Sequence, residues 1–189
     1  TDGCIYVAAT ASAPGEITHG GDIFRVVYGL RPGQKAGETA LRKLARTKVD
    51  LDGAGIDGAY TDQVKRDTFQ KFMYTSPMAA AGEYFHAQAG VFQQQGEPRD
   101  TFIAMDRELE KLGEAMGLKF REDVVKRNLQ ILDDLSPEAG TSMQRDIAKG
   151  HSSEIRGLVY AVEDMAAEYH VEMPMYHKVI EELKARGLN

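Results

Sequence analysis

A single cysteine, Cys4, is the whole thiol content of the chain. No internal disulfide can form, and no cysteine pair offers a zinc site. That scarcity points to a reducing, cytoplasmic setting. Runs of Lys and Arg are also missing, and the formal net charge is −6. Binding to nucleic acid or to an anionic membrane needs a concentrated positive patch, so neither partner is expected. A small anionic ligand needs only one or two well-placed cations and stays open. No apolar stretch approaches the length of a membrane span. The opening Thr1-Asp2-Gly3 has neither the basic region nor the cleavage pattern of a signal peptide. It also lacks an initiator Met, so the chain reads as cut from something longer, or processed.

Signatures of cofactor binding and nucleophilic catalysis are scarce too. No G-x-G-x-x-G fingerprint and no Walker A loop is expected in this chain, so no phosphate cradle is evident. No G-x-S-x-G elbow is present. The five histidines show no metal-ligand spacing: His170 and His177 stand seven apart and flank the break at Pro174. No metal site is expected.

What is present divides into two parts. The first reads as β-rich. Cys4–Ala9 is a short apolar run, Ala13-Pro14-Gly15 a turn, and Glu16–His19 alternates polar with apolar. Gly20-Gly21-Asp22 reads as a second turn and Phe24–Gly29 as a third strand, ended by Arg31-Pro32-Gly33. Glu38–Val49 reads as a helix with Leu41, Leu44 and Ala45 on one side, and Gly53–Tyr60 as a loop or short edge strand. From Thr61 the apolar period changes to 3.6. Phe102, Met105, Leu109, Leu112 and Met116 form one face of a helix, with Pro98 in its first turn and Gly117 at its end. Val124, Asn128, Ile131 and Leu135 form the next, stopped by Ser136-Pro137. Ile155, Leu158, Val159, Val162, Met165, Ala166 and Tyr169 make the most regular stripe, with Ser152 and Ser153 as capping candidates. Pro174 opens a last helix with Val179, Ile180 and Leu183 facing inward. The class is therefore mainly α, an α+β chain: a small β-rich piece over 1–60, then an all-helical domain over 61–189.

Two segments carry candidate chemistry. In Thr68–Met78, Lys71 sits among aromatic residues of an apolar helix. It either snorkels past the core to solvent, or aims a partly desolvated ammonium into a cleft. There it would serve as a proton donor. In Thr141–Ile155, Ser142 starts one helix and Glu154 falls in the first turn of the next, across the turn at Gly150. Ser142 is either a plain N-cap, with Thr141 beside it, or a hydrogen-bond donor to an anionic ligand. Glu154 either complements the helix dipole or faces Lys71.

These segments resemble the carboxy-terminal domain of the ketopantoate reductase family (2-dehydropantoate 2-reductases). Phe69-Gln70-Lys71-Phe72 resembles the family's W-x-K-f. Ser142-Met143-Gln144-Arg145-Asp146-Ile147, then Gly150 and Glu154-Ile155, resemble its S-M-x-x-D-i block. Gly157, Pro174, and the opening Gly3–Val7, Pro14–Ile17 and His19-Gly20 extend the likeness over nearly the whole chain. The resemblance implies that residues 1–60 are the end of a Rossmann domain. Residues 61–189 would then be a helical substrate-binding domain, like that of 6-phosphogluconate dehydrogenase. It implies NADPH, bound mainly by an amino-terminal half outside this chain, and a 2-keto acid in the cleft between the halves. The implied activity is NADPH-dependent reduction of ketopantoate to pantoate, with this chain inactive alone. The implied roles are Lys71 as proton donor, Glu154 orienting it, and Ser142 holding the substrate carboxylate. Thr75, Ala79 and Ala89 stand where the family has asparagines, which leaves the substrate open, with Thr75 the polar substrate contact among the three. A homodimer is expected. The alternatives are a non-catalytic helical binding or dimerisation module, or a related dehydrogenase of another hydroxy acid.

Overall fold

The computed structural model describes residues 1–188 and divides the chain into two compact units, Thr1–Phe69 and Gln70–Asn189. The division falls inside one helix.

In the first unit, β1 (Asp2–Ala13) and β2 (Glu16–Gly29) form an antiparallel hairpin. Its turn is Pro14-Gly15, with Gly15 at φ +82°, where a side chain would be strained. α1 (Glu38–Gly53) then crosses over to β3 (Asp57–Thr61), which lies parallel to β2, so the strands run in the order β1-β2-β3. The turn expected at Gly20-Gly21-Asp22 does not form. β2 runs straight through it, and the extra residues are taken up in the register: Val7 pairs Phe24 while Ala9 pairs His19. Two steps on one strand face five on the other, so the glycines serve a bulge, a common use of glycine inside a strand. The apolar side read for α1 is not buried either. None of its residues is, and Leu41 is 45% exposed. α1 is held by polar bonds instead. Tyr28 donates its hydroxyl to Leu44 O at 2.7 Å. Lys48 Nζ donates to Gly58 O at 2.8 Å, and the Gly58 N–H donates to Asp52 Oδ1 at 3.0 Å. Contrary to expectation the G-x-G-x-x-G spacing is present, at Gly53, Gly55 and Gly58, but it runs from the last residue of α1 into β3. That order is helix to strand, the reverse of the strand-to-helix order in which such a loop cradles phosphate.

The second unit is helical, as the change of period predicts. α2 (Val64–Tyr84) enters it from the first unit. After it come α3 (Ala89–Phe92), α4 (Glu97–Ala115), α5 (Val124–Asp133) and α6 (Ser142–Ala148). A wide π turn (Arg156–Tyr160) then leads into α7 (Ala161–Tyr169), and α8 (Pro174–Ala185) closes the unit. Phe102, Met105, Leu109 and Leu112 of α4 meet Val159, Val162, Val179, Ile180 and Leu183 in a fully buried core. Glu108 of α4 caps α8 from across this core: its carboxylate accepts the Met175 and Tyr176 N–H groups at 2.7 and 3.0 Å. Met173, the residue before α8, offers no side-chain oxygen, so a second helix supplies the acceptor. Among the described residues no helix is long and apolar enough to cross a membrane.

Candidate active site on the helical unit

Lys71, Thr75 and Ala79 are spaced by four on α2 and therefore share a face. Lys71 and Thr75 are half-buried, and Ala79 is fully buried. Thr75 Oγ1 donates back to its own helix, to Lys71 O at 3.2 Å and Phe72 O at 3.5 Å. Its proton is thereby shared with the backbone, while its lone pairs can still accept. Ala89, at the head of α3, is also fully buried.

Ser142 is not the cap of α6. Thr141 is, in a complete capping box. Its Oγ1 accepts the Gln144 N–H at 3.2 Å, and Gln144 Oε1 accepts the Thr141 N–H at 3.0 Å. Ser142 is the first helical residue, its side chain exposed. Gln144 Nε2 also donates to Ala87 O at 2.9 Å. A Cβ on Gly82 of α2 would lie 3.0 Å from the Gln144 side chain. The start of α6 is thus seated on the far half of α2. Behind it, the Ala89 N–H donates to Ala139 O at 2.9 Å and the Gly90 N–H to Pro137 O at 2.8 Å. A Cβ on Gly90 would come within 2.9 Å of Pro137, so the close approach requires glycine there.

Glu154 is exposed and lies just ahead of the helical stretch rather than within its first turn, with its carbonyl accepting the Leu158 N–H at 2.8 Å. Ser152 and Ser153 lie too far upstream to cap that helix, which begins at Ile155. The helix is tied to α2 by a residue that sequence reading passed over. Ser76 Oγ donates to Leu158 O at 2.5 Å and lies 2.7 Å from the Tyr176 hydroxyl of α8. A lone serine before Pro77 in the apolar centre of α2 was the available signal. All four candidates therefore stand on one unit: Lys71 and Thr75 on α2, Ser142 on α6 seated against it, and Glu154 just ahead of the helix that Ser76 ties to α2.

Three further polar features went unread. Asp106, fully buried on α4, accepts from Asn128 Nδ2 of α5 at 2.9 Å through Oδ2, while its Oδ1 has no partner. Burial pushes this carboxyl up to about 7. Tyr74 carries a buried hydroxyl without a partner, and desolvation pushes it to about 12. Between α7 and α8, Glu163 meets His177 Nδ1 at 3.1 Å and Lys184 Nζ at 3.0 Å. Glu163, His177 and Glu181 bring one ligand atom each within 4.8 Å of the others, a spacing that could hold a metal. Lys184 also reaches Glu181 at 3.3 Å, so an ammonium already neutralises both carboxylates.

A short crossover sheet is followed by a helical unit whose core is built on α4, α7 and α8. The chain belongs to the ketopantoate reductase PanE/ApbA family, whose carboxy-terminal domain matches residues 63–187. No curated protein matches it in sequence. Among solved structures it is similar to 2-dehydropantoate 2-reductase from Methylococcus capsulatus. The identity is 22% and the TM-score 0.83, over 98% of this chain and 57% of that one. It is similar to a dimeric ketopantoate reductase from Staphylococcus aureus at 18% identity and TM-score 0.76, over 97% and 60%. It is also similar to D-mandelate dehydrogenase bound to NADH and anilino(oxo)acetate, at 17% identity and TM-score 0.80, over 97% and 58%. These likenesses establish the fold. The chain spans roughly three fifths of each relative's length.

Proposed function

We propose that the chain is the helical, catalytic part of a cytoplasmic, nicotinamide-dependent reductase of a 2-keto acid, of the ketopantoate type with NADPH. The supporting observation is that Lys71, Thr75, Ser142 and Glu154 all lie on the helical unit and inside the family match. The described residues contain no phosphate cradle, so the dinucleotide would be held by the part of the relatives that this chain does not match. When bound, the nicotinamide supplies a hydride to the keto carbon. The residues of this chain handle the rest. The Lys71 ammonium gives a proton to the carbonyl oxygen as charge builds there, which lowers the barrier. Glu154 orients that ammonium and accepts from the new hydroxyl. Ser142 donates to the substrate carboxylate, and Thr75 accepts from the substrate one turn beyond Lys71. In the full-length protein, Lys71→Met should lower kcat by about 10²–10⁴-fold and leave the KM for the nicotinamide unchanged. Equal losses in both would point to a structural lysine and to the alternative of a non-catalytic binding module.

A second reading, reduction of a keto acid other than ketopantoate, is favoured by one observation. Ala79 and Ala89 are buried methyl groups, and the Thr75 proton is spent on the backbone. Neither alanine can hydrogen-bond a substrate hydroxyl through its side chain, and a site without the matching polar groups does not select for one. Comparing kcat/KM for ketopantoate and phenylglyoxylate decides between the two. We also propose a homodimer joined through the helical unit, in keeping with the dimeric relative. Light scattering at high micromolar concentration tests this, and a monomer would refute it.

A further inference from the structure

The helix beside Glu154 opens with an ordinary α bond, from the Leu158 N–H to Glu154 O at 2.8 Å, and then widens. Over Arg156–Tyr160 it takes the wider π form, and the Ala161 N–H reaches back five residues to Arg156 O. Such turns are rare and occur mostly as single insertions in α-helices. Two groups from other helices bond to it here, Ser76 directly and Tyr176 through Ser76. Both are fully buried, one on α2 and the other on α8. Ser76 Oγ contacts Leu158 O at 2.5 Å and the Tyr176 hydroxyl at 2.7 Å. Each hydroxyl has one proton, and a carbonyl can only accept. The Ser76 proton therefore goes to Leu158 O, and Tyr176 donates to Ser76 Oγ. The chain of donors runs in one direction, from α8 through α2 to the wide turn, and it satisfies two hydroxyls that would be costly to bury alone.

The register of this turn has a geometric consequence. A helix advances about 100° per residue, so a one-residue insertion rotates the residues before it by that angle relative to the residues after it. Core residues flank the turn on both sides, with Ile155 before it, Val159 within it, and Val162 and Ala166 of α7 after it. Glu154 stands one residue ahead of Ile155, is exposed, and has no such core anchor of its own. We propose that Ser76 and Tyr176 are positioning residues: their paired hydroxyls hold the turn in its wide register and thereby set the direction of the Glu154 side chain toward the substrate. The catalytic consequence rests on the reductase reading above, but the structural one does not.

Ser76→Ala and Tyr176→Phe each remove one hydroxyl and keep the packing. The first readout is NMR on this chain. The contact between the Arg156 α-proton and the Ala161 amide, five residues apart, should give way in either variant to one from Gly157, with changed contacts for Glu154. Retention of the wide contact in both variants overturns the proposal. The second readout is reduction of a 2-keto acid by the full-length protein. Either variant should lower kcat by about ten- to a hundredfold with the nicotinamide KM unchanged, and should cost nothing further in a Glu154→Ala background. An undiminished loss in that background shows that the hydroxyls act by another route and overturns the positioning role. If the wild type reduces neither ketopantoate nor phenylglyoxylate, the reductase reading fails. The NMR readout then decides the structural claim by itself.

Discussion

The two units bury very different shares of the apolar surface that their sequences offer. In the helical unit most residues of the 3.6-period stripes are buried, from Phe102 and Leu109 to Val179 and Leu183, and the rest, such as Ile131 and Met165, are half-buried. In the first unit the buried apolar side chains are Val27, Tyr28, Val64 and Phe69, while Ile17 is 76% exposed and Val49 62%. Both units show correct periodicity. The difference lies in closure: the helices of the second unit can enclose one another, whereas a three-stranded sheet with a single crossover helix leaves a strand edge and apolar faces uncovered. Amphipathic pattern thus specifies which face is offered for burial, and the number of neighbouring layers determines whether burial occurs.

The contrast can be broken most sharply in the core. Phe102→Ala should destabilise the helical unit by about 3–5 kcal/mol, seen as a lower urea midpoint for loss of helix. Asp106→Asn is the next largest and depends on pH. The folded carboxyl, at about 7, lies above its ordinary 3.8. The folded state therefore keeps a proton that the unfolded chain releases between those values. The associated stability is fully present below about pH 4 and lost as pH rises through about 7. The groups facing Asp106 are Asn128, Glu110, Arg107 and Asp123. The amide variant, which cannot ionise, should exceed wild type above pH 7 by up to about 4 kcal/mol, with the gap closing toward pH 4. A gap independent of pH would show that Asp106 does not titrate in the fold. Thr141→Ala removes the cap that seats α6 on α2 and should cost about 1 kcal/mol, read from the same urea curves. Smallest is Ile17→Ser in the first unit, expected within about 0.5 kcal/mol of wild type. A large loss there would mean that this face is covered after all, and the contrast between the units would collapse.

The legibility of each site residue depended on the kind of signal it left. Lys71, Ser142 and Glu154 stood in local blocks that resemble a family, and the family match spans them. The capping role of Thr141 rather than Ser142 was within reach, because Thr141 and Gln144 stand at capping-box spacing. Ser76 and Tyr176 were not, since their partners lie 82 and 100 residues away from Ser76. Glu108 hid likewise: it looks like a charged residue on an amphipathic helix, and only the arrival of the α8 N-terminus makes it a cap. The Gly20-Gly21-Asp22 stretch misled because glycine marks turns and bulges alike, and the strand opposite decides between them.

By itself the sequence determined the β-rich opening, the helical remainder, the core faces of α4 and α8, and the family. Each of these is carried by residues close along the chain, through side-chain period, turn chemistry or a local block. Only the tertiary structure decided that α1 buries no residue, that β2 runs unbroken through its glycines, and that Asp106 is enclosed. It alone decided that a wide turn stands beside Glu154, under two hydroxyls from other helices. Those outcomes depend on which distant groups meet, and burial, hydrogen-bond satisfaction and helix register are properties of that meeting rather than of any one segment.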